Sequence, residues 1–198
     1  MKKLTKYELT KIEANLDSLF NLATKTEIQV GKRWYKQAYK ICLDISNYYK
    51  SNTITVANVL SALSPRNKWE QNIKDTWKVF EAFKDGKKAE DIKVCTFHTN
   101  KFKAFNCIEN NVLITESSLK TFNFVNNIAY LSTSHLTIDI WHLRACFDKK
   151  IKIDSASIGR IAYEQIKNLT IKKAEKLGLK GYEFQAILWL VCQRTYNN

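Results

Sequence analysis

The chain has 198 residues, of which 45% are hydrophobic, enough to bury a core and too apolar a composition for a disordered polypeptide. Only 5 Gly and 1 Pro are present, which argues against a sandwich or barrel with many turns and favours helices joined by short polar connections. The 32 Lys and Arg against 19 Asp and Glu leave a net charge of +13, which favours a polyanionic partner. A Lys- and Asn-rich composition inherited from an AT-rich genome is the alternative explanation of that charge.

The cysteines and histidines offer no ligand set for a metal. The 5 cysteines are widely spaced without a C-x-x-C pair, and the 3 histidines are isolated, so we expect buried thiols, no metal and no other cofactor. The first sixteen residues lack the apolar run of a signal peptide, and no later run is long enough to cross a membrane. We therefore expect a cytoplasmic protein with no membrane partner.

Apolar residues recur at helical spacing through most of the chain. The pattern predicts an early helix over 34–49 and a second over 56–63. Asn67, Asn100 and Ser117 are the expected N-caps of the next three, which end near residues 84, 108 and 129. Further helices are predicted over 139–147, 157–169, 171–177 and 182–194, with Gly178 as a stop signal. The pattern thus predicts that residues 1–198 form one globular, all-α unit, and we expect it to be monomeric.

Two segments carry polar residues that an ordinary packed helix does not need. Lys120 begins a polar stripe with Asn123 and Asn127, opposite the apolar face of its helix; an ordinary solvated face explains that stripe equally well. Asp139 interrupts an apolar stretch where a helix begins, and a plain N-cap is its simplest explanation. A cap is compatible with a catalytic carboxylate, because the cap fixes the orientation of the side chain.

These two segments resemble the helix-hairpin-helix DNA glycosylases, the superfamily that includes endonuclease III. That family carries a hairpin L-P-G-V-G-R-K-T-A, followed by a helix and then V-D-T-H-x-x-R. Residues 114–122 read I-T-E-S-S-L-K-T-F and residues 138–144 read I-D-I-W-H-L-R. Three weaker matches flank them in the correct order, at residues 59–62, 100–104 and 184–189. The resemblance covers most of residues 55–195 and implies a two-lobed fold with a helix-hairpin-helix element.

The resemblance also implies where the lobes lie. Residues 55–135 would form a central helical-barrel lobe with the hairpin near 108–130. Residues 1–54 and 136–198 would pack together as the second lobe.

The hairpin departs from the family pattern. Both of its glycines are missing, replaced by Glu116 and Ser118, and the family's four-cysteine iron–sulfur loop is absent. Glycine there permits a close approach to a DNA phosphate, which Glu116 would repel. Either the hairpin is rebuilt, with Ser117 and Ser118 contacting the phosphate, or it no longer binds DNA well.

The resemblance implies base excision from double-stranded DNA carrying a damaged or modified base. Asp139 would stabilise the positive charge that develops on the sugar. Lys120 would attack C1′ and form a Schiff base, which adds an AP lyase activity. Thr121 joins the two hairpin serines as a DNA contact.

Another set of DNA contacts is expected after the match at 59–62. In the family, a residue at this position fills the gap that the flipped base leaves in the base stack. Ser64, Arg66 and Asn67 occupy that position, and a simple helix-breaking loop explains them equally well.

The five tryptophans have the spacing of core residues, with Trp141 the one candidate for a pocket wall.

A non-catalytic DNA-binding relative and a base-modifying transferase on the same scaffold are the alternatives to a glycosylase. The short chain, its composition and its divergent motif suggest a phage or mobile-element source.

Overall fold

The computed structural model describes residues 3–147 and 158–196, and in these ranges every regular element is a helix. The fold is therefore all-α, as expected. The described part contains nine α-helices: α1 Lys6–Asn21, α2 Lys25–Tyr49, α3 Thr53–Leu63, α4 Trp69–Lys84, α5 His98–Glu109, α6 Leu119–Ala129, α7 Ile140–Phe147, α8 Arg160–Lys176 and α9 Gly181–Tyr196. Two short 3₁₀ turns, Ala89–Asp91 and Glu116–Ser118, precede α5 and α6.

The first two helices begin with reciprocal capping. Glu8 N donates to Thr5 Oγ1 at 3.2 Å while Thr5 N donates to the Glu8 carboxylate at 2.7 Å. Thr24 and Glu27 repeat the arrangement before α2, at 3.1 and 2.8 Å. Each pair satisfies two N–H groups that a helix start leaves unbonded. Helix α1 was not expected from the apolar spacing, and α2 begins nine residues before the predicted helix 34–49.

Glycines in the left-handed conformation end two helices. Gly86 follows α4 with φ +71°, and Gly178 follows α8 with φ +67°. A residue with a Cβ is disfavoured at such angles, which is why glycine marks helix ends in a sequence. The predicted stops after α4 and at Gly178 are confirmed.

The three predicted asparagine and serine caps are wrong. Helix α4 begins after Lys68, α5 after Phe97 and α6 after Ser118, one to three residues from the expected positions. The amide of Asn67 instead donates to the Asp75 carboxylate at 2.9 Å, and that of Asn100 to Thr96 Oγ1 at 3.0 Å. Both amides bond to other side chains, and the sequence pattern does not reveal these hydrogen-bond partners.

Helix α8 is continuous where two helices, 157–169 and 171–177, were predicted. Thr170, at the predicted break, is fully buried, and its hydroxyl lies 3.1 Å from Nε2 of His142. A polar residue inside the apolar pattern therefore marks a buried contact between helices. The expected start at Ser157 lies outside the described residues.

The chain folds as two compact units. We call residues 1–36 and 131–198 the terminal unit and residues 37–130 the central unit. Residues 37–54, expected with the termini, belong to the central unit. Tyr49 ties this segment to α4 of the central unit, because its ring stacks on Phe80 at 5.4 Å and its hydroxyl donates to Glu81 at 2.6 Å.

In the terminal unit, α1 packs against α7, α8 and α9, and α9 also packs against α7 and α8. Leu16, Ile166 and Phe184 are fully buried in this core. Gly31 of α2 lies directly against α9. A Cβ at this position would lie 2.4 Å from the side chain of Ile187 and 2.8 Å from its amide nitrogen. Only glycine fits this contact without a shift of one helix.

In the central unit, α3 is the core helix. It packs against α4, α5 and α6, and all of its residues from Thr55 to Leu63 are buried. A helix buried on all sides must satisfy its polar side chains internally. Asn58 does so by accepting a bond from Ile114 N at 2.8 Å, which ties the connection between α5 and α6 to α3. Asn72 of α4 donates to the carbonyl oxygen of Leu60 at 3.0 Å.

Candidate functional site

Asp139 lies at the N-terminus of α7 in the terminal unit. Its Oδ1 accepts a hydrogen bond from His142 N at 2.9 Å, and its carbonyl oxygen accepts the Leu143 N–H at 3.0 Å. These are the bonds of an N-cap, so the predicted capping role is confirmed. The residue is half-buried.

The segment before Asp139 is fixed by a buried tyrosine. The hydroxyl of Tyr163 donates to Leu136 O at 2.8 Å and accepts from Ile138 N at 3.1 Å. Burial raises the pKa of Tyr163, and the charge of Asp139 raises it further. The Asp139 carboxylate is thus held by its own helix, and the main chain just before it is held by Tyr163 of α8.

A second buried phenol lies in the same environment. Tyr35 is fully buried, and its hydroxyl donates to Gln185 Oε1 of α9 at 2.9 Å. Burial raises the pKa of Tyr35; a hydrogen bond from Thr137 lowers it, and the charge of Asp139 raises it. Both phenols therefore remain neutral donors at neutral pH, and neither is a candidate base.

The residues next to Asp139 along α7 have packing roles. His142 is fully buried, and burial lowers its pKa to about 4, so its ring is neutral at neutral pH. The guanidinium of Arg144 lies 4.4 Å from the ring centre of Trp141, and both side chains are half-buried. One face of Trp141 is therefore covered by a cation, which limits its use as a pocket wall.

Lys120 lies in the first turn of α6 in the central unit and is half-buried. The polar stripe predicted to accompany it is not a solvated face, because Asn123 and Asn127 are both buried. The amide of Asn123 donates to Leu119 O at 2.8 Å. Lys120 thus lies in the first turn of a helix in which the two asparagines predicted to share its face are buried.

The connection between α5 and α6 spans residues 110–118 and ends in the 3₁₀ turn Glu116–Ser118. Glu116 and Ser117 are exposed, and Ser117 Oγ lies 2.9 Å from Thr115 Oγ1. Ser118 and Thr121 are half-buried, and the Thr121 hydroxyl donates to Ser118 O at 3.1 Å. The exposed Glu116 is therefore part of the surface of this connection.

The expected DNA contacts after α3 divide into exposed and internal ones. Arg66 is exposed and has a left-handed backbone, with φ +57°. The Ser64 hydroxyl donates to Ser61 O at 2.9 Å, and the Asn67 amide bonds to Asp75, so both side chains bond within the unit. Phe97, which sequence analysis did not single out, lies under the Arg66 guanidinium at 5.0 Å from ring centre to Cζ. An isolated aromatic residue in a polar turn was the available signal.

Comparison with known families gives one match, over residues 1–196, to a family described as a family of unknown function, DUF7178. The chain belongs to the DUF7178 family. No curated protein and no solved structure matches the chain.

Two further findings bear on this DUF7178 member. Within the described ranges, no group of three or more His, Cys, Asp or Glu side chains could hold a metal ion. In the part of the chain that the structure covers, no helix combines the length and apolar character of a membrane span.

Proposed function

We propose that this protein is a DNA glycosylase of the helix-hairpin-helix type, with Asp139 and Lys120 as its reactive residues. The observation that carries the proposal is the setting of Asp139. Asp139 is half-buried, its carboxylate is held by the first turn of α7, and α7 packs beside α9, which contains the match at residues 184–189. A fixed, partly desolvated carboxylate is what stabilisation of a positively charged sugar requires.

The proposed reaction begins with an extruded nucleotide. The lone pair of Lys120 Nζ forms a bond to C1′ while the bond between C1′ and the base breaks, and the base leaves with that electron pair and a proton. The nitrogen then forms a double bond to C1′ as the C1′–O4′ pair moves to O4′, which is protonated. The resulting Schiff base allows elimination of the 3′ phosphate. Asp139 stabilises the positive charge on the sugar in the first step.

The partner in this proposal is double-stranded DNA with a damaged or modified base. The net charge of +13 supports a polyanionic partner, because lysines that neutralise phosphates release counterions. We propose further that the protein acts as a monomer in the cytoplasm.

Borohydride trapping tests the proposal. The protein is incubated with duplexes carrying uracil, an oxidised purine, an oxidised pyrimidine, an alkylated purine or an abasic site, in the presence of borohydride, which reduces a Schiff base to a stable amine. We expect a covalent complex with at least one duplex, and none with Lys120→Ala. Lys103→Ala, which removes an exposed lysine of the same unit, is the matched control and should trap normally.

Asp139→Asn separates chemistry from folding. An asparagine retains the oxygen that accepts the His142 N–H, so the melting temperature should change little. Loss of the charge should slow base release by about 100-fold or more. Wild-type rates in Asp139→Asn, or trapping that persists in Lys120→Ala, would exclude these roles.

A non-catalytic DNA-binding protein is the second candidate. The exposed Glu116 favours it, because a carboxylate in the hairpin repels the phosphate that the family binds there. Salt-sensitive binding to duplex DNA without base release or trapping on any substrate would support this second function over the first.

A further inference from the structure

Two loops of the central unit meet at one exposed cation–aromatic pair. The loop 64–68 follows α3, and the loop 93–97 precedes α5. Arg66 and Phe97 are both exposed, Phe97 to 48%, with the guanidinium over the ring at 5.0 Å. The pair borders a surface depression of about 310 Å³ whose other lining residues are Val94, Cys95 and Thr96.

The depression is rigid because buried groups tie the two loops together. Asp75, only 2% exposed, accepts bonds from the Asn67 amide at 2.9 Å and from Cys95 N at 2.8 Å. Thr96 Oγ1 donates to Pro65 O at 2.9 Å. The buried ammonium of Lys101 donates to Ile92 O at 2.7 Å, which anchors the second loop to α5. Pairs fixed in this way lose little conformational entropy when they bind a ligand.

The charges around the pair specify the chemistry of the ligand. Lys68 and Lys93 are exposed in the two loops, and the acidic residues nearest to them in the sequence, the exposed Glu70 and Asp91, lie outside residues 64–68 and 93–97. The carboxylate that bonds to both loops, Asp75, is buried. A planar cation on an aromatic ring, with exposed lysines in segments that lack acidic residues, suits a ligand that combines a flat ring with phosphates.

We propose that Arg66 and Phe97 form a stacking site for an unpaired base of single-stranded or locally unpaired nucleic acid, whose phosphates contact Lys68 and Lys93. The base stacks on the face of Phe97 that the Arg66 guanidinium leaves open, and Arg66 contacts the phosphate of the same nucleotide. The site involves neither Lys120 nor Asp139, so it does not depend on the excision chemistry proposed above.

Fluorescence anisotropy with a labelled oligothymidylate and a duplex of equal length tests the site on the full chain. We expect tighter binding to the single strand, because bases in a duplex are already stacked on one another. Phe97→Ala should raise the Kd for the single strand by about 5- to 100-fold, the range for loss of one base–aromatic stack. Phe97→Leu, which keeps an apolar side chain but no aromatic ring, should lose as much affinity as Phe97→Ala. Phe97→Trp should retain binding.

The salt dependence of the Kd distinguishes the contribution of Arg66 from that of Phe97. Arg66→Ala should reduce the slope of log Kd against log salt by about 0.7, the value for one phosphate contact on a single strand. Phe97→Ala should leave that slope unchanged. A structural role for either residue would not produce this difference.

Phe83→Ala is the matched control, since Phe83 is a phenylalanine of the same unit with a similar exposure of 40%. It should bind as the wild type does. The proposal is overturned if the chain binds no single strand, if Phe97→Ala and Phe97→Leu bind normally, or if Phe83→Ala loses as much affinity as Phe97→Ala.

Discussion

The two units of the chain bury polar groups of different kinds. The terminal unit buries two phenols and an imidazole, Tyr35, Tyr163 and His142, whose hydrogen bonds hold the segment around Asp139. The central unit buries the carboxylate of Asp75 and the lysine Lys101, together with amides such as Asn58 and Asn72 that bond to the main chain. We therefore expect His142 to make stability fall in acid, whereas the amides of the central unit should matter only through the loss of a bonding partner.

Acid destabilisation through His142 should be the strongest effect. Its pKa is about 4 in the folded chain and 6.5 for an unperturbed histidine, so the unfolded state binds the proton more tightly. Stability is unaffected above pH 6.5 and falls by about 3 kcal/mol as the pH decreases from 6.5 to 4. Urea unfolding across that range measures the effect. His142→Gln should remove this part of the pH dependence, and the exposed His98→Gln should retain it. An unchanged profile in His142→Gln would contradict the assignment of the pH response to the terminal unit.

Replacement of Gly31 by alanine should cost about 2 kcal/mol, because the new Cβ would overlap Ile187, including its backbone. Gly86→Ala is the matched variant. Nothing lies within 4 Å of the Cβ there, so its cost, about 1 kcal/mol, comes from the left-handed backbone alone. Thermal denaturation of both variants compares packing with backbone strain. Equal stability of Gly31→Ala and the wild type would mean that α2 and α9 separate at little cost.

Asn58→Ala tests the amides of the central unit. The change leaves the Ile114 N–H without its acceptor and should destabilise the chain by about 2 kcal/mol. Unlike the effect of His142, this loss should be the same at pH 4 and pH 6.5. Asn106→Ala, at an exposed position of α5, should cost little. A loss that changes with pH would contradict the distinction between the two units.

Helix caps, one in each unit, should give the weakest effects. Thr5→Ala removes the cap of α1, and Asn52→Ala removes the acceptor of Ile54 N at the start of α3. Each should cost about 1 kcal/mol. Hydrogen exchange should show faster exchange confined to the first turn of the affected helix. Exchange that spreads through a whole unit would show that the cap matters beyond its own turn.

The sequence predicted those parts of the fold that depend on local chemistry. Helix ends at Gly86 and Gly178 follow from backbone angles that glycine tolerates, and the cap at Asp139 follows from its place before an apolar run. Helix α1 was missed, although the capping pair Thr5 and Glu8 was a local signal for it.

Prediction failed where a polar side chain bonds to another side chain rather than to the start of a helix. Asn67, Asn100 and Thr170 look like caps or breaks in the sequence but bond to Asp75, Thr96 and His142 in the structure. The candidate site shows the same limit. Arg66 was predicted as a DNA contact, whereas its partner Phe97 was not singled out, because the pair forms only where two loops meet.

The buried carboxylate of Asp75 constrains how related chains can differ. Because it bonds to Asn67 in one loop and to Cys95 in the other, an insertion in either loop would move one donor away from the carboxylate and leave part of its charge unsolvated. Among DUF7178 members that retain an acidic residue at this position, we expect the two loops to keep their lengths or to change them together.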